Sequence, residues 1–262
     1  MTSSGSLLTV TLALARRALR NSFRRPQFLA PLVIFPSMFL AVNVGGLEQA
    51  TRLPGFEQGA DGMLDFQLAA AILQSILLGG VSAGIAVGLE IQLGFFDRLV
   101  AAPIPRVAIV LGRMIATAVL TSLQITWFLA LGLIFGAEID GGIPGVLLIY
   151  LIGITAGIGF GAIGQALALA SKDPSIVQGI FPLVFVILFV SSAFFPLGLL
   201  DPPASWVAEY NPLSYIAEGM RNPIIESVDA TTVLEGLAVA AATSAVFIGL
   251  AVLALRGRLR EA

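Results

Sequence analysis

Six stretches of this chain are long, apolar and nearly free of charge: residues 28–47, 66–88, 108–135, 143–170, 177–199 and 232–255. A helix needs about 20 apolar residues to cross the hydrocarbon layer of a bilayer, and each stretch reaches that length. The whole sequence is 57% hydrophobic and 11% charged, whereas a soluble domain carries about 25% charged residues. These stretches therefore predict an all-α polytopic membrane protein, with six transmembrane helices in a single transmembrane domain over residues 1–262. An even number of crossings puts both termini on one side.

The charges decide which side. Of the 14 Lys and Arg residues, all but Arg52 and Arg221 fall on one face of this topology: before span one (Arg16, Arg17, Arg20, Arg24, Arg25), around the second connection (Arg98, Arg106, Arg113), in the fourth (Lys172) and at the end (Arg256, Arg258, Arg260). Most carboxylates fall on the other face, among them Glu48, Asp65, Glu138, Asp201, Glu218 and Asp229. Basic residues are retained on the cytoplasmic side, which predicts a multi-pass protein of the plasma (cell inner) membrane with both termini in the cytoplasm. The chain has no cysteine and no histidine. Disulfides, thiolate metal sites and histidine-based acid–base catalysis are excluded, and no metal site or catalytic residue is expected.

Residues 6–25 come first. Leu8, Leu12, Ala15, Leu19 and Phe23 repeat at helical spacing opposite Arg16, Arg17, Arg20 and Arg24. This predicts an interfacial helix, apolar face in the acyl boundary and arginines on anionic headgroups. A cleaved signal peptide is the competing reading, and it lacks a clear small-x-small cleavage site. Pro31 and Pro36 in span one are tolerable kinks. The connection from Glu48 to Asp65 is short and acidic, without room for a folded domain.

The connection from Leu89 to Val107 has more pattern than a linker needs. Phe95, Phe96, Leu99 and Val100 surround Asp97 and Arg98, which makes a short amphipathic helix. Pro103 and Pro105 stop it. Residues 196–226 form the second unusual stretch, a proline turn at Asp201-Pro202-Pro203 followed by two short helical pieces, 204–209 and 212–221. Asn211-Pro212 suits a helix start, with Asn as cap and Pro in the first turn. The pieces are too short to cross and too apolar for water. They predict a partly re-entrant hairpin on the outer face, against the plainer reading of an interfacial loop.

Within the spans, Gln67, Gln74 and Ser82 form a polar stripe on span two. They either line a hydrated pathway or only bond helix to helix. Gly80, Gly84 and Gly88, and likewise Gly153, Gly157 and Gly161, give small-residue stripes for close helix packing. Span three carries Thr117, Thr121 and Gln124 on one face. No ionisable residue sits clearly at mid-span, which argues against a proton- or ion-coupled carrier.

This order of features resembles an ABC-2 type permease, the membrane subunit of an export ABC transporter, like those of the daunorubicin-resistance group. Two motifs carry the resemblance: Gly94-Phe95-Phe96-Asp97-Arg98-Leu99 running to Ala102-Pro103-Ile104-Pro105-Arg106, and Ser192-Ala193-Phe194-Phe195-Pro196-Leu197 leading through Trp206 to Asn211-Pro212-Leu213-Ser214-Tyr215 and Glu218-Gly219-Met220-Arg221. The resemblance implies that residues 90–106 are a coupling segment, its helix seated in a groove of a cytoplasmic ATPase with Glu90 at the approach. It implies two ATPase copies, a second permease chain, identical or homologous, and a pathway lined by spans two and five. Span five offers Phe181, Phe185, Phe189, Phe194 and Phe195, which either meet amphipathic substrates or pack against lipid and protein. Asn211, Pro212, Tyr215, Glu218 and Arg221 belong to the re-entrant segment. Membrane lipid is a further partner, and nucleic acid is not expected.

A phosphate-binding loop needs Gly-x-x-x-x-Gly-Lys-Ser/Thr. The sole lysine, Lys172, stands in Ser171-Lys172-Asp173-Pro174. This chain is therefore not expected to be an enzyme by itself, nor to bind a cofactor, and ATP and Mg belong on the partner. The function expected is an ATP-driven export permease for a lipophilic drug, antibiotic or lipid-like substrate. Lipid-linked polysaccharide export, a secondary carrier or channel without an ATPase, and a membrane scaffold are the alternatives.

Overall fold

The computed structural model describes residues 6–52 and 62–261. The middle of the expected Glu48–Asp65 connection lies outside the described residues. All regular structure in the described residues is helical. Helix α1 (Leu7–Phe23) starts at Ser6, whose hydroxyl accepts from the Thr9 amide, and α2 (Pro26–Leu47) follows. Then come α3 (Met63–Gln92), the short α4 (Phe95–Ala101), α5 (Arg106–Ile134) and α6 (Gly142–Ser171). The last third holds α7 (Pro174–Gly179), α8 (Phe181–Phe189), α9 (Ala204–Tyr210), α10 (Pro212–Ile225) and α11 (Ala230–Glu261). Among the described residues five helices are long and apolar enough to cross a membrane: α2, α3, α5, α6 and α11.

The fifth expected stretch, 177–199, is not one helix. It is the pair α7 and α8, which ends at Phe189. Pro182 lacks an amide hydrogen and so cannot continue the ladder from α7, and Ile180 carries the break between the two pieces. Together they span residues 174–189, about 24 Å at 1.5 Å per residue. That is short of the roughly 30 Å hydrocarbon layer. After Val190 the chain turns, and serine side chains replace the helix ladder. Ser191 Oγ donates to the Leu188 carbonyl at 2.5 Å, and the Ala193 amide donates to Ser191 Oγ at 3.2 Å.

Helix α3 is the axis of the molecule. Within its most apolar window 72% of residues are buried, against 11% for α11 and 17% for α2. The packing partners follow the glycine stripes read in the sequence. A Cβ on Gly80 would stand 2.5 Å from the Phe160 carbonyl oxygen, and Gly84 and Gly164 are pressed against each other's backbones in the same way. Helices α3 and α6 therefore cross with almost nothing between them. The second stripe faces α5: Gly153 meets Ile125, Gly157 meets Thr121 and Gly161 meets Thr117. The threonine face of α5 is thus the partner of the glycine face of α6.

The bundle has two chemically different ends. The end of α3 at Glu90, α4, the start of α5 and the close of α11 gather the arginines. The other end brings the start of α3 and the α5–α6 connection against α10, where the Asp140 and Gly141 amides donate to the Ile224 and Pro223 carbonyls at 3.2 and 3.0 Å. Exposed carboxylates cap helices at either end. The Ser175 hydroxyl and amide hold Asp173 below the usual carboxylate range, and Thr232 does the same for Asp229. On α1, Leu8, Leu12 and Phe23 are exposed while Thr11 and Ala15 are buried against α5. Leu8, Leu12 and Phe23 of the expected apolar face are free to meet lipid, whereas Ala15 of that face packs on the bundle.

Placing a leucine at Gly164 should force α3 and α6 apart and lower stability by at least about 1–3 kcal/mol, the usual cost of overpacking. Gly249→Ala, where a Cβ meets nothing within 4 Å, should leave stability unchanged or raise it by up to about 1 kcal/mol. Thermal unfolding of the detergent-solubilised protein, followed by size-exclusion chromatography, separates the two outcomes.

Candidate functional site

Glu90 sits in the last turn of α3 and joins three helices. Its Oε1 accepts from Arg17 Nη1 of α1 at 2.9 Å, and its Oε2 accepts from Arg113 Nη2 of α5 at 2.5 Å. The guanidinium of Arg17 also lies over the Phe95 ring, 3.4 Å from its centroid. All three charged side chains are partly wet, so each pair contributes only about 0–1 kcal/mol, and the cation–π contact about as much. The value of the arrangement is positional. One carboxylate fixes the ends of α1 and α5 to α3, at the point where the chain leaves for α4.

Helix α4 is carried on a left-handed turn at Gly94, φ 66°. A Cβ there would meet nothing, so the glycine answers the backbone conformation and not crowding. Phe96 is 1% exposed and packs with Val87 and Ile91 of α3, Val177 of α7 and Leu255 of α11. It anchors α4 to the bundle and is not on offer to a partner. Leu99 is half-buried, and Asp97 and Arg98 point outward. Asp97 receives a hydrogen bond from Arg258 Nη2 of α11 at 3.2 Å. The predicted coupling residues Glu90, Gly94, Phe95, Phe96, Asp97, Arg98 and Leu99 are thus assembled in one place. Their partners Arg17, Arg113 and Arg258 were legible in sequence only as part of the basic excess.

The opposite end is built on Arg221, which is fully buried. Its Nε donates to the Phe66 carbonyl at 3.1 Å and its Nη1 to Glu218 Oε1 at 2.7 Å. Nη2 donates to the carbonyls of Ser192 (3.3 Å) and Ala193 (2.6 Å). The guanidinium also covers the Phe66 ring at 3.7 Å. One side chain of α10 therefore takes up carbonyls of α3 and of the non-helical turn after α8. Ser192 Oγ donates to Glu218 Oε1 at 2.5 Å, and the Ser192 amide donates to Ser214 Oγ at 3.0 Å. Asn211 caps α10 through the Leu213 amide and donates to the Ile187 carbonyl at 2.8 Å, closing the loop back onto α8. Pro212 takes the first position of α10, and Tyr215 remains partly exposed.

The predicted pathway residues separate. Gln67 is consumed by structure, its amide donating to the Phe194 carbonyl at 3.0 Å. Gln74 is 1% exposed, and neither polar atom of its amide has a hydrogen-bond partner among the described residues. Ser82 lines a cavity at the basic end. Phe185 meets Phe35 edge-on at 5.4 Å, Phe189 meets Phe39 at 5.5 Å, and Phe194 meets both Phe39 and Phe189 at 5.0 and 4.9 Å. These rings pack α8 and the following turn onto α2. Phe195 and one side of Phe189 stay exposed. The Phe181 side chain lies outside the described residues.

A family model described as ABC-2 type transporter matches residues 9–225. The chain is similar to the daunorubicin resistance ABC transporter permease protein DrrB1 of Streptomyces coeruleorubidus, 26% identical over 217 residues, covering 82% of this chain and 74% of the relative. It is similar also to the putative transport permeases ycf38 of Pyropia yezoensis (25% identical; 83% and 75% covered) and Porphyra purpurea (26%; 80% and 72%).

Arg221→Ala should cost about 3–5 kcal/mol, because it strands a partly buried carboxylate and several carbonyls. Arg221→Lys should recover little, since an ammonium lacks the planar fork that reaches separated acceptors. Thermal unfolding of the purified variants measures both. Glu90→Gln should cost only about 1 kcal/mol globally. It should release α1, seen as faster amide hydrogen exchange over residues 7–23 with α10 unchanged.

Proposed function

We infer the function of this chain from its family: it belongs to the ABC-2 type transporters and is a membrane permease subunit of an ABC transporter. The reading drawn from that premise is an ATP-driven exporter. A separate cytoplasmic ATPase, in two copies, binds ATP and Mg and supplies the energy. A second permease, identical or homologous, completes the pathway. The cargo is a lipophilic drug, antibiotic or lipid-like molecule. Both termini and α4 lie on the cytoplasmic side of the plasma membrane, and residues 196–226 reach back into the bilayer from the outside.

The observation that carries this reading is the seating of α4. It leaves Asp97 and Arg98 outward at the basic end while Phe96 grips α3, α7 and α11 together. A push on α4 would be felt by α3 directly, by α8 through α7, and by α1 and α5 through Glu90. Spans two and five, the walls of the proposed pathway, are the elements it moves. Switching between inward- and outward-open bundles then needs only small rigid displacements of packed helices. The concentration of arginines at this end supports its cytoplasmic placement. The similarity to a daunorubicin resistance permease supports a lipophilic cargo.

Arg98→Glu and Asp97→Asn alter the two outward residues of α4 and leave Phe96 and the Glu90 contacts in place. Each should weaken co-purification of the cognate ATPase about tenfold, roughly 1.4 kcal/mol, at an unchanged unfolding temperature. Co-purification at full strength with both substitutions would remove α4 as the coupling element. Substrate efflux that persists without ATP would remove the exporter reading itself.

A further inference from the structure

Behind the Glu90 contacts lies a partly open cavity of about 150 Å³, lined by residues of α1, α2, α3, α5 and α6. Its rim carries Arg17, Arg25 and Arg113 against the single carboxylate of Glu90. Arg17 and Arg113 share that carboxylate, and exposed Arg25 pairs with no carboxylate among the described residues. The mouth therefore carries a net charge of about +2. Asn21 and Ser22 add polar groups beside it. Inward, the wall on α3 is made of small residues, Ala86, Ala83 and Gly79, facing Leu29 and Leu32 of α2. Ser82 and Gln165 also line it, while the polar groups of α5 are engaged elsewhere. Gln124 donates to the Ser75 carbonyl at 3.1 Å, and Thr117 and Thr121 pack on the glycines of α6.

The shape selects the occupant. From Glu90 to Gly79 is eleven residues of α3, about 16 Å along the helix. Half of a hydrocarbon core about 30 Å thick is about 15 Å. A water-sized group needs roughly 10–15 Å³ of such space, so the cavity of about 150 Å³ holds on the order of ten such groups, a volume suited to one acyl chain. We propose that this cavity is a binding site for one acyl chain of an anionic phospholipid from the leaflet at the basic end, with its phosphate held by Arg25, Arg17 and Arg113. The lipid would stand as a wedge between the interfacial helix α1 and the bundle, beside Glu90. The site lies within a single chain and does not depend on which cargo is exported.

The test uses the purified full-length chain in detergent with phosphatidylglycerol and phosphatidylcholine of identical acyl chains, read by native mass spectrometry. One phosphatidylglycerol should be retained per chain in preference to phosphatidylcholine. Arg25→Gln, at an exposed position, should reduce that preference about fivefold, the effect of roughly one basic residue near an anionic headgroup. Ala83→Leu should reduce retention of both lipids by filling the channel. Ala86→Leu, at the exposed position of the same wall, provides the same reading should the Ala83 substitution disturb folding. Millimolar inorganic phosphate or glycerol phosphate should not displace the bound lipid. Equal retention of the two lipids, a preference that survives Arg25→Gln, retention undiminished in both leucine variants, or displacement by soluble phosphate would each overturn the proposal.

Discussion

A backbone amide or carbonyl inside a bilayer has no water to bond with, so every place where a helix stops at depth must be completed by side chains. This constraint organises the end of the molecule around Arg221. The segment after α8 leaves the α-helical ladder at Val190 and, apart from a single 3-10 turn at Leu197–Leu199, does not return to helix until α9. Its carbonyls at Ser192 and Ala193 are taken by Arg221, its amide at Ser192 by Ser214, and the Phe194 carbonyl by Gln67. A guanidinium suits this work because its planar fork reaches acceptors in several directions and stays charged when buried. Glu218 balances that charge one turn away on the same helix. Without this set the turn would expose several unpaired polar groups at once, and α8 could not end where it does.

The basic end depends on a weaker kind of contact used differently. Glu90, Arg17 and Arg113 are partly wet, so they add little to stability, but they tie three helices at the root of α4. A joint held by modest electrostatics above a tight hydrocarbon anchor at Phe96 can shift without unfolding. The α3–α6 crossing, where glycine backbones touch, is the rigid counterpart. Motion at the basic end is therefore expected to be carried by α1, α4 and α7, while α3 and α6 move as one body.

Much of this was readable from residue order. The periodic glycines named the close crossings, because only a missing Cβ allows that approach, and the Thr117–Thr121 face on α5 turned out to be their mate. Asn211-Pro212 marked a helix start by local chemistry alone. Phe96 was different. Its spacing showed an amphipathic helix but not which apolar residue faced the bundle, since a helix of seven residues has too few turns to define one face. The phenylalanines after residue 180 were equally ambiguous, and packing on α2 settles Phe185, Phe189 and Phe194 as contacts between helices. Gln67 and Gln74 read alike in sequence, yet one bonds a carbonyl and the other finds no partner among the described residues.

The sequence by itself determined the membrane class, the helical content, the two ends of opposite charge and the places where helices must start, stop or touch. These follow from hydropathy, proline and glycine stereochemistry and charge, all of which act locally. Tertiary structure alone decided that the fifth apolar stretch is divided and short, that Arg221 is buried and not a surface cation, and that Glu90 faces two arginines. Each of those depends on residues far apart in the chain meeting at one point, and no periodicity within a single stretch encodes the meeting. The amphipathic pattern at residues 95–100 announced a helix at the membrane face. The fold placed it where one carboxylate and one buried ring connect it to nearly every helix that could move.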